Sequence, residues 1–242
     1  MSEQIFLPVH EVFKSIQGEG FYSGRVAFFI RLFGCPVHCP WCDSAGTWHK
    51  DYVPETVERC SLFDLTMQAV RSEVTMVILT GGEPTIHKGI EEMPKLFHSF
   101  GLKLHIETCG GFEINLEEFN WITLSPKYDK PPLPKIINQA HEFKIIVEKL
   151  DDIGYWTSMI LAHAGLRKGK QPVNAISRPI WLHPEWSKRN DKEVLKTIMY
   201  AVKTRPDIYR AGWQIHKLYS ADILDERSKK PAPLGGNPEL GF

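Results

Sequence analysis

Apolar and polar positions repeat along this chain with two periods, and stretches of one period follow stretches of the other. Residues 26–33 are β-branched and aromatic, the composition of a strand. Residues 61–71 carry a helical pattern; Ser61 stands three places before Asp64, the spacing of a capping box with Asp as the acid. Residues 74–80 form a continuous apolar run, as in a buried strand. Ile90, Met93, Phe97 and Phe100 keep helical spacing, and Pro94 sets the start of the regular helix near itself. Leu102, Leu104 and Ile106 alternate with Lys103, His105 and Glu107, which predicts a strand with one polar face. Further strands are predicted at 121–125, 143–147, 179–183 and, as a short last one, 211–215. A helix is predicted from Asp151 to about Ala164, and another from the stripe Val194, Leu195, Ile198, Met199 and Val202, ending before Pro206.

Strands that alternate with helices imply a parallel sheet with right-handed crossovers. Six or seven such units predict an α/β fold, a partial (β/α)6-type barrel with mostly parallel strands. Its 242 residues fit one domain, and 43% apolar residues can build its core. The Pro/Gly-rich stretch 228–242 reads as a tail or a lid. Lys plus Arg and Asp plus Glu balance at 29 each, so there is no electrostatic footprint for nucleic acid or an anionic membrane. No apolar run reaches the ~18 residues of a membrane span. The start, Met-Ser-Glu-Gln-Ile, lacks the basic-then-apolar pattern of a secretory signal, so a cytoplasmic protein is expected.

The cysteines change the picture. There are five, an odd number that argues against a closed disulfide framework. Cys35, Cys39 and Cys42 fall in one loop, G-C-P-V-H-C-P-W-C-D, directly after the first predicted strand. A structural zinc site takes four ligands, usually in two pairs. Zinc remains open here only with His38 as the fourth. A three-cysteine set suits an iron–sulfur cluster with one iron left open.

In parallel α/β barrels the chemistry sits at the carboxyl ends of strands, and the motifs cluster there. The 74–80 run is followed by Gly-Gly-Glu-Pro (81–84), where glycines admit a close ligand and Glu83 offers an acceptor. The next strands end at Glu107-Thr-Cys-Gly-Gly, Ser125-Pro126-Lys127 and Gln214-Ile215-His216-Lys217. Glu107 can accept from ribose hydroxyls, Ser125 and Lys127 can grip a cofactor, and Cys109 reads as a packed residue. Ahead of the first predicted strand, Phe13 to Gly20 reads F-K-S-I-Q-G-E-G, with glycines around a carboxamide and a carboxylate suited to a flat polar heterocycle. Arg31 is the one cation in an apolar strand. It needs an anion, either a substrate carboxylate or an internal Glu.

The C-x-x-x-C-x-aromatic-C loop resembles the radical S-adenosylmethionine superfamily signature. With Q-G-E-G, the arginine before the loop, T-G-G-E-P, E-T-x-G, S-P-K and Q-x-H-K, the chain resembles the 7-carboxy-7-deazaguanine synthase family of the queuosine and 7-deazapurine pathway, which serves tRNA modification. The resemblance implies a carbon–nitrogen lyase. Cys35, Cys39 and Cys42 would hold a [4Fe–4S] cluster that generates the radical from S-adenosyl-L-methionine. The substrate would be 6-carboxy-5,6,7,8-tetrahydropterin, converted with ring contraction and loss of ammonia. Contacts to substrate are implied for Ile16, Gln17, Gly18, Glu19, Arg31 and Thr80. The cofactor would touch Trp41, Cys42, Asp43, Gly82 and Glu107, then Ser125, Pro126 and Lys127, and finally Gln214, Ile215, His216 and Lys217. Mg²⁺ would bridge the substrate carboxylate and Ser44, which stands where threonine is frequent. A homodimer and an electron donor such as flavodoxin or ferredoxin are also implied.

The rivals are another radical enzyme, such as a glycyl-radical activase acting on protein, a non-enzymatic iron–sulfur or zinc module, and a tRNA-binding protein. Q-G-E-G and Arg31 speak against the first, and the zero net charge against the last.

Overall fold

The computed structural model describes residues 4–163, 178–229 and 234. One nine-stranded sheet organises them, in the order β3-β1-β2-β4-β5-β6-β7-β8-β9. The parallel part runs from β2 (Val26–Leu32) through β4 (Met76–Gly81), β5 (Lys103–Thr108), β6 (Trp121–Leu124), β7 (Glu142–Val147) and β8 (Ile180–Pro184) to β9 (Tyr209–Ala211). β1 (Phe6–Ile16) pairs antiparallel with both β2 and β3 (Glu58–Ser61), so β3 and β9 are open edges and the barrel is partial.

The two faces of the sheet differ. The outer face of β4, β5 and β7 points Val77, Leu79, Leu104, Ile106, Phe143 and Ile145 into one continuous core under the helices. Each such side chain contributes roughly 1.5–3 kcal/mol when fully buried. The helices are α1 (Leu62–Arg71), α2 (Met93–Ser99), α3 (Pro134–Gln139), α4 (Asp152–His163), α5 (Lys192–Thr204) and the short α6 (Ile215–Leu218). The Ser61 hydroxyl accepts from the Asp64 amide at 3.1 Å, which is the cap expected from the spacing. Pro94 sits in the first turn of α2. The helix predicted to about Ala164 is present through His163; Ala164 lies outside the described residues.

The inner face is polar near the carboxyl ends of the strands and apolar below. There Phe13 stacks on Phe29 at 5.0 Å beside Met76 and Ile78, closing the floor.

Two expectations need correction. The strand preceding the cysteine loop is the second, because β1 precedes it. β1 does not show a simple alternation: the register shifts between Val9 and Glu11, leaving His10 as an extra residue. Before this bulge Leu7 and Val9 join the outer core, whereas beyond it Phe13 joins the inner cluster. The last strand is 209–211 rather than 211–215, and Ile215 opens α6. The predicted polar face of β5 is present, with Lys103 exposed at its start and the rest turned into the barrel. His105 is buried against Tyr22, and Glu107 bonds to Gln17 and Thr80 inside the barrel.

Candidate active site

A cavity of about 550 Å³ opens at the carboxyl ends of the strands. The three loop cysteines, Trp41, Asp43 and Ser44 line one side. Ile16 to Glu19, with Arg31 and Thr80, line another. Gly82, Glu107, Ser125, Lys127, Gln214, His216 and Lys217 complete the set brought together from the sequence motifs. Two expected residues stand back. Pro126 is buried behind its neighbours, and Ile215 spends its amide on Gly18 O at 3.1 Å.

Cys35, Cys39 and Cys42 are partly buried free thiols. Burial pushes all three upward in pKa, Cys42 to about 11 with Asp43 adding to the rise. Cluster ligation takes the cysteines as thiolates, so it would displace these protons. N–H groups already aim at the sulfurs: those of Val37 and His38 at Cys35, and those of Ser44 and Trp48 at Cys42, at 3.4 and 3.3 Å. Such donors are what iron–sulfur ligands accept. The His38 ring stacks on Trp48 at 4.3 Å. Among the described residues no three His, Cys, Asp or Glu side chains converge to hold a single ion. Cys109 is packed and buried, as expected.

The Gly-Gly-Glu-Pro turn lines the cavity and also packs closely against the cysteine loop. A Cβ on Gly82 would stand 2.2 Å from Gly34 O and 2.7 Å from Cys35 Cβ, so only glycine lets β4 end against the cysteine loop. Glu83 is buried, and its carboxylate accepts from Thr85, the Thr108 hydroxyl and the Cys109 amide. It staples two strand ends together.

Two of the cations, Arg31 and Lys217, are held by nearby acids. Arg31 Nε donates to Glu11 Oε1 at 2.7 Å, so the internal Glu is present; Arg31 Nη1 donates to Ser44 Oγ at 3.0 Å. Lys217 Nζ lies 2.9 Å from Asp43 Oδ2 and bonds Gln214, tying α6 to the cysteine loop. Burial opposes the charge on Asp43, but Lys217, with Arg31 and His216, holds its carboxyl well below the usual range. Lys127 folds back onto Ser125 at 2.7 Å and lies over the Trp41 ring at 5.5 Å. Trp41 Nε1 donates to Glu148 at 3.1 Å.

The Q-G-E-G segment is a shaped loop. Gln17 Nε2 donates to Glu107 at 2.9 Å, and Glu142 accepts from the Phe21 amide, Trp121 and Thr123. Glu19 is buried and ion-paired with Lys144.

Glu11, Lys144, Glu148 and His183 are part of this environment but absent from the expected set. Lys144 carried the signal that marked Arg31, a lone cation in an apolar strand. Glu11 is hidden by the bulge in β1.

The Radical SAM superfamily model matches residues 29–168. A 7-carboxy-7-deazaguanine synthase of Synechocystis sp. is 36% identical over 212 residues, covering 87% of this chain and 91% of that protein. The chain belongs to the 7-carboxy-7-deazaguanine synthase family. Another member, from Flavobacterium psychrophilum, is 32% identical over 211 residues, covering 87% of this chain and 90% of that one. The crystal structure of QueE from Escherichia coli matches with a TM-score of 0.69 at 28% identity, over 86% of this chain and 94% of that chain. As a radical S-adenosylmethionine enzyme, the protein uses a [4Fe–4S] cluster, S-adenosylmethionine, a reductant and a small-molecule substrate. The activase, binding-module and tRNA-binding readings are not favoured by these relatives. Among the described residues no helix is long and apolar enough to cross a membrane.

Proposed function

We propose that this enzyme converts 6-carboxy-5,6,7,8-tetrahydropterin to 7-carboxy-7-deazaguanine and ammonia. The observation that carries this reading is the polarity of the cavity. At one end Arg31 meets Ser44 at 3.0 Å, beside the cysteine loop. At the other, Glu19 Oε1 is buried without a hydrogen-bond partner. A small molecule with a carboxylate at one end and N–H donors at the other satisfies both. The fork of Arg31 suits a carboxylate, and the Glu19 oxygen accepts from an amino-pyrimidinone edge.

Cys35, Cys39 and Cys42 would hold the cluster, which together with S-adenosylmethionine would supply the radical chemistry at C6 of the substrate. The protein's own residues bind and orient. Ile16, Gln17, Gly18 and Thr80 line the substrate side. Trp41, Asp43, Gly82, Glu107, Ser125, Lys127, Gln214, His216 and Lys217 form the cofactor side. Pro126 and Ile215 support that side from behind. The Ser44 hydroxyl is a hard oxygen for Mg²⁺, which a substrate carboxylate and waters would complete.

Residues 1–242 act as one domain, which the single sheet supports. Of the stretch read as a tail or a lid, the described residues Ser228, Lys229 and Leu234 reach the site. Ser228 and the Lys229 amide reach Glu11, and the Leu234 amide donates to Cys42 O at 2.7 Å. Residues 230–233 and 235–242 lie outside the described residues. A cytoplasmic homodimer fed by a flavodoxin or ferredoxin completes the proposal.

The test is anaerobic reconstitution with reductant, S-adenosylmethionine and carboxytetrahydropterin. Appearance of 7-carboxy-7-deazaguanine supports the reading. Absence of 5′-deoxyadenosine under every condition overturns it.

A further inference from the structure

The motif-derived site leaves one buried charge unexplained. Lys144 lies on the inner face of β7, and its ammonium donates to Glu19 Oε2. Both side chains are about nine-tenths buried, at 11% and 8% exposure. Burying such a pair stabilises little, because desolvation of two ions consumes most of their attraction. Fold stability therefore gives weak reason for a lysine among Phe143, Ile145 and Val147. The geometry gives a stronger one. Lys144 engages only one oxygen of Glu19, and the other, Oε1, is buried and unpartnered at the cavity wall. His183 Nδ1 is 3.9 Å from it, beyond hydrogen-bond reach.

We propose that Lys144 is a positioning residue that fixes Glu19 as an ionised carboxylate with Oε1 turned to the cavity, ready to accept from the N–H edge of the substrate. This rests on the substrate reading given above. The groups facing Glu19 are Lys144 from β7, His183 from β8 and His216 from α6. Burial alone would raise the carboxyl pKa; positive charge beside it, that of Lys144 foremost, brings it to about 2 instead. His183 contributes little charge, since burial lowers it to about 4. The lysine is thus the main source of positive charge beside this acid near neutral pH.

The experiment compares reconstituted wild type, Lys144→Met, Lys144→Arg, Glu19→Gln and the Glu19→Gln/Lys144→Met double variant. KM and kcat for carboxytetrahydropterin are measured, with iron content and circular dichroism as checks on loading and fold. Lys144→Met is expected to raise KM by about tenfold or more, and Lys144→Arg to restore most of the loss. The double variant is expected to match Glu19→Gln alone, because the lysine acts through the acid. The ratio of Lys144→Met to wild-type KM is also expected to grow from about pH 8 to about pH 6, as the unsupported carboxyl takes up a proton.

An unchanged KM in folded Lys144→Met, or effects of the two substitutions that multiply, would overturn the proposal. Should Lys144→Met fail to fold, the double variant, which removes both charges, decides against Glu19→Gln: equal KM supports, a further rise overturns. A wild type that yields no 7-carboxy-7-deazaguanine would overturn the substrate reading itself and is a separate result.

Discussion

Gly18 leaves the space that His216 fills: a Cβ on Gly18 would stand 1.8 Å from His216 Nδ1. The glycine of Q-G-E-G therefore does more than expose backbone to a ligand. It admits the imidazole of the late Q-x-H-K motif, and its carbonyl accepts from the Ile215 amide at 3.1 Å. Gly18→Ala should push His216 out of place and lower kcat/KM by about tenfold or more, with iron content unchanged. Wild-type turnover in this variant would show that the contact is dispensable.

The cysteine loop predicts a separable loss. Cys35→Ser, Cys39→Ser and Cys42→Ser should each abolish the iron–sulfur absorption and 5′-deoxyadenosine formation. The far-ultraviolet circular dichroism should remain that of wild type, because the loop lies outside the sheet core. Full iron retention in any one of them would remove that cysteine from the ligand set.

Glu11 holds Arg31 across the β1–β2 pair, where the two residues are in register. Glu11→Gln weakens a charge-assisted bond, with an expected cost of about 1.5–3 kcal/mol at Arg31. The substrate KM should rise roughly tenfold or more. S-adenosylmethionine cleavage without substrate should persist. Loss of both in parallel would point to a general collapse of the strand pair.

Ser44→Ala removes the proposed Mg²⁺ oxygen and the acceptor of the Arg31 bond at 3.0 Å. Mg²⁺ stimulation of product formation should fall more than cofactor cleavage does. Equal loss of both would refute the metal role. Arg31→Met, which keeps the hydroxyl, should preserve the residual stimulation.

Two inner histidines set an acid limit on the fold. Burial lowers His105 and His183 from 6.5 to about 4, so both are neutral in the folded chain near pH 6. The unfolded chain binds more protons between these values. Their stability contribution is complete above about pH 6.5 and is lost as pH falls toward about 4, by roughly 1–3 kcal/mol for each. Thermal melts of the apoprotein should show a steep fall in this window. His105→Phe should flatten it; an unchanged slope would show that His105 does not carry the effect.

How much of this was legible in the sequence varies by element. The parallel strands up to β8 and α1, α2, α4 and α5 follow from the local apolar pattern, because each presents apolar residues to the outer core. β1 was not legible, because the bulge at His10 moves its buried positions from one face to the other. β3 offers only Glu-Arg-Cys-Ser, with no period to read. The strand predicted at 211–215 failed because its apolar residues serve a strand end and then a short helix.

By itself the sequence determined an alternating α/β chain, three cysteines in one loop and polar motifs at strand ends. These are properties of residues close together in the chain, where spacing alone decides what can share a face or a ligand. The tertiary structure decided which polar atoms are spent and which stay free. Glu83 is consumed by two strand ends, Gly82 by the cysteine loop and half of Glu19 by Lys144. Those outcomes join residues far apart in sequence, and they depend on how β1, β7 and α6 close around one cavity; no local pattern records such distances.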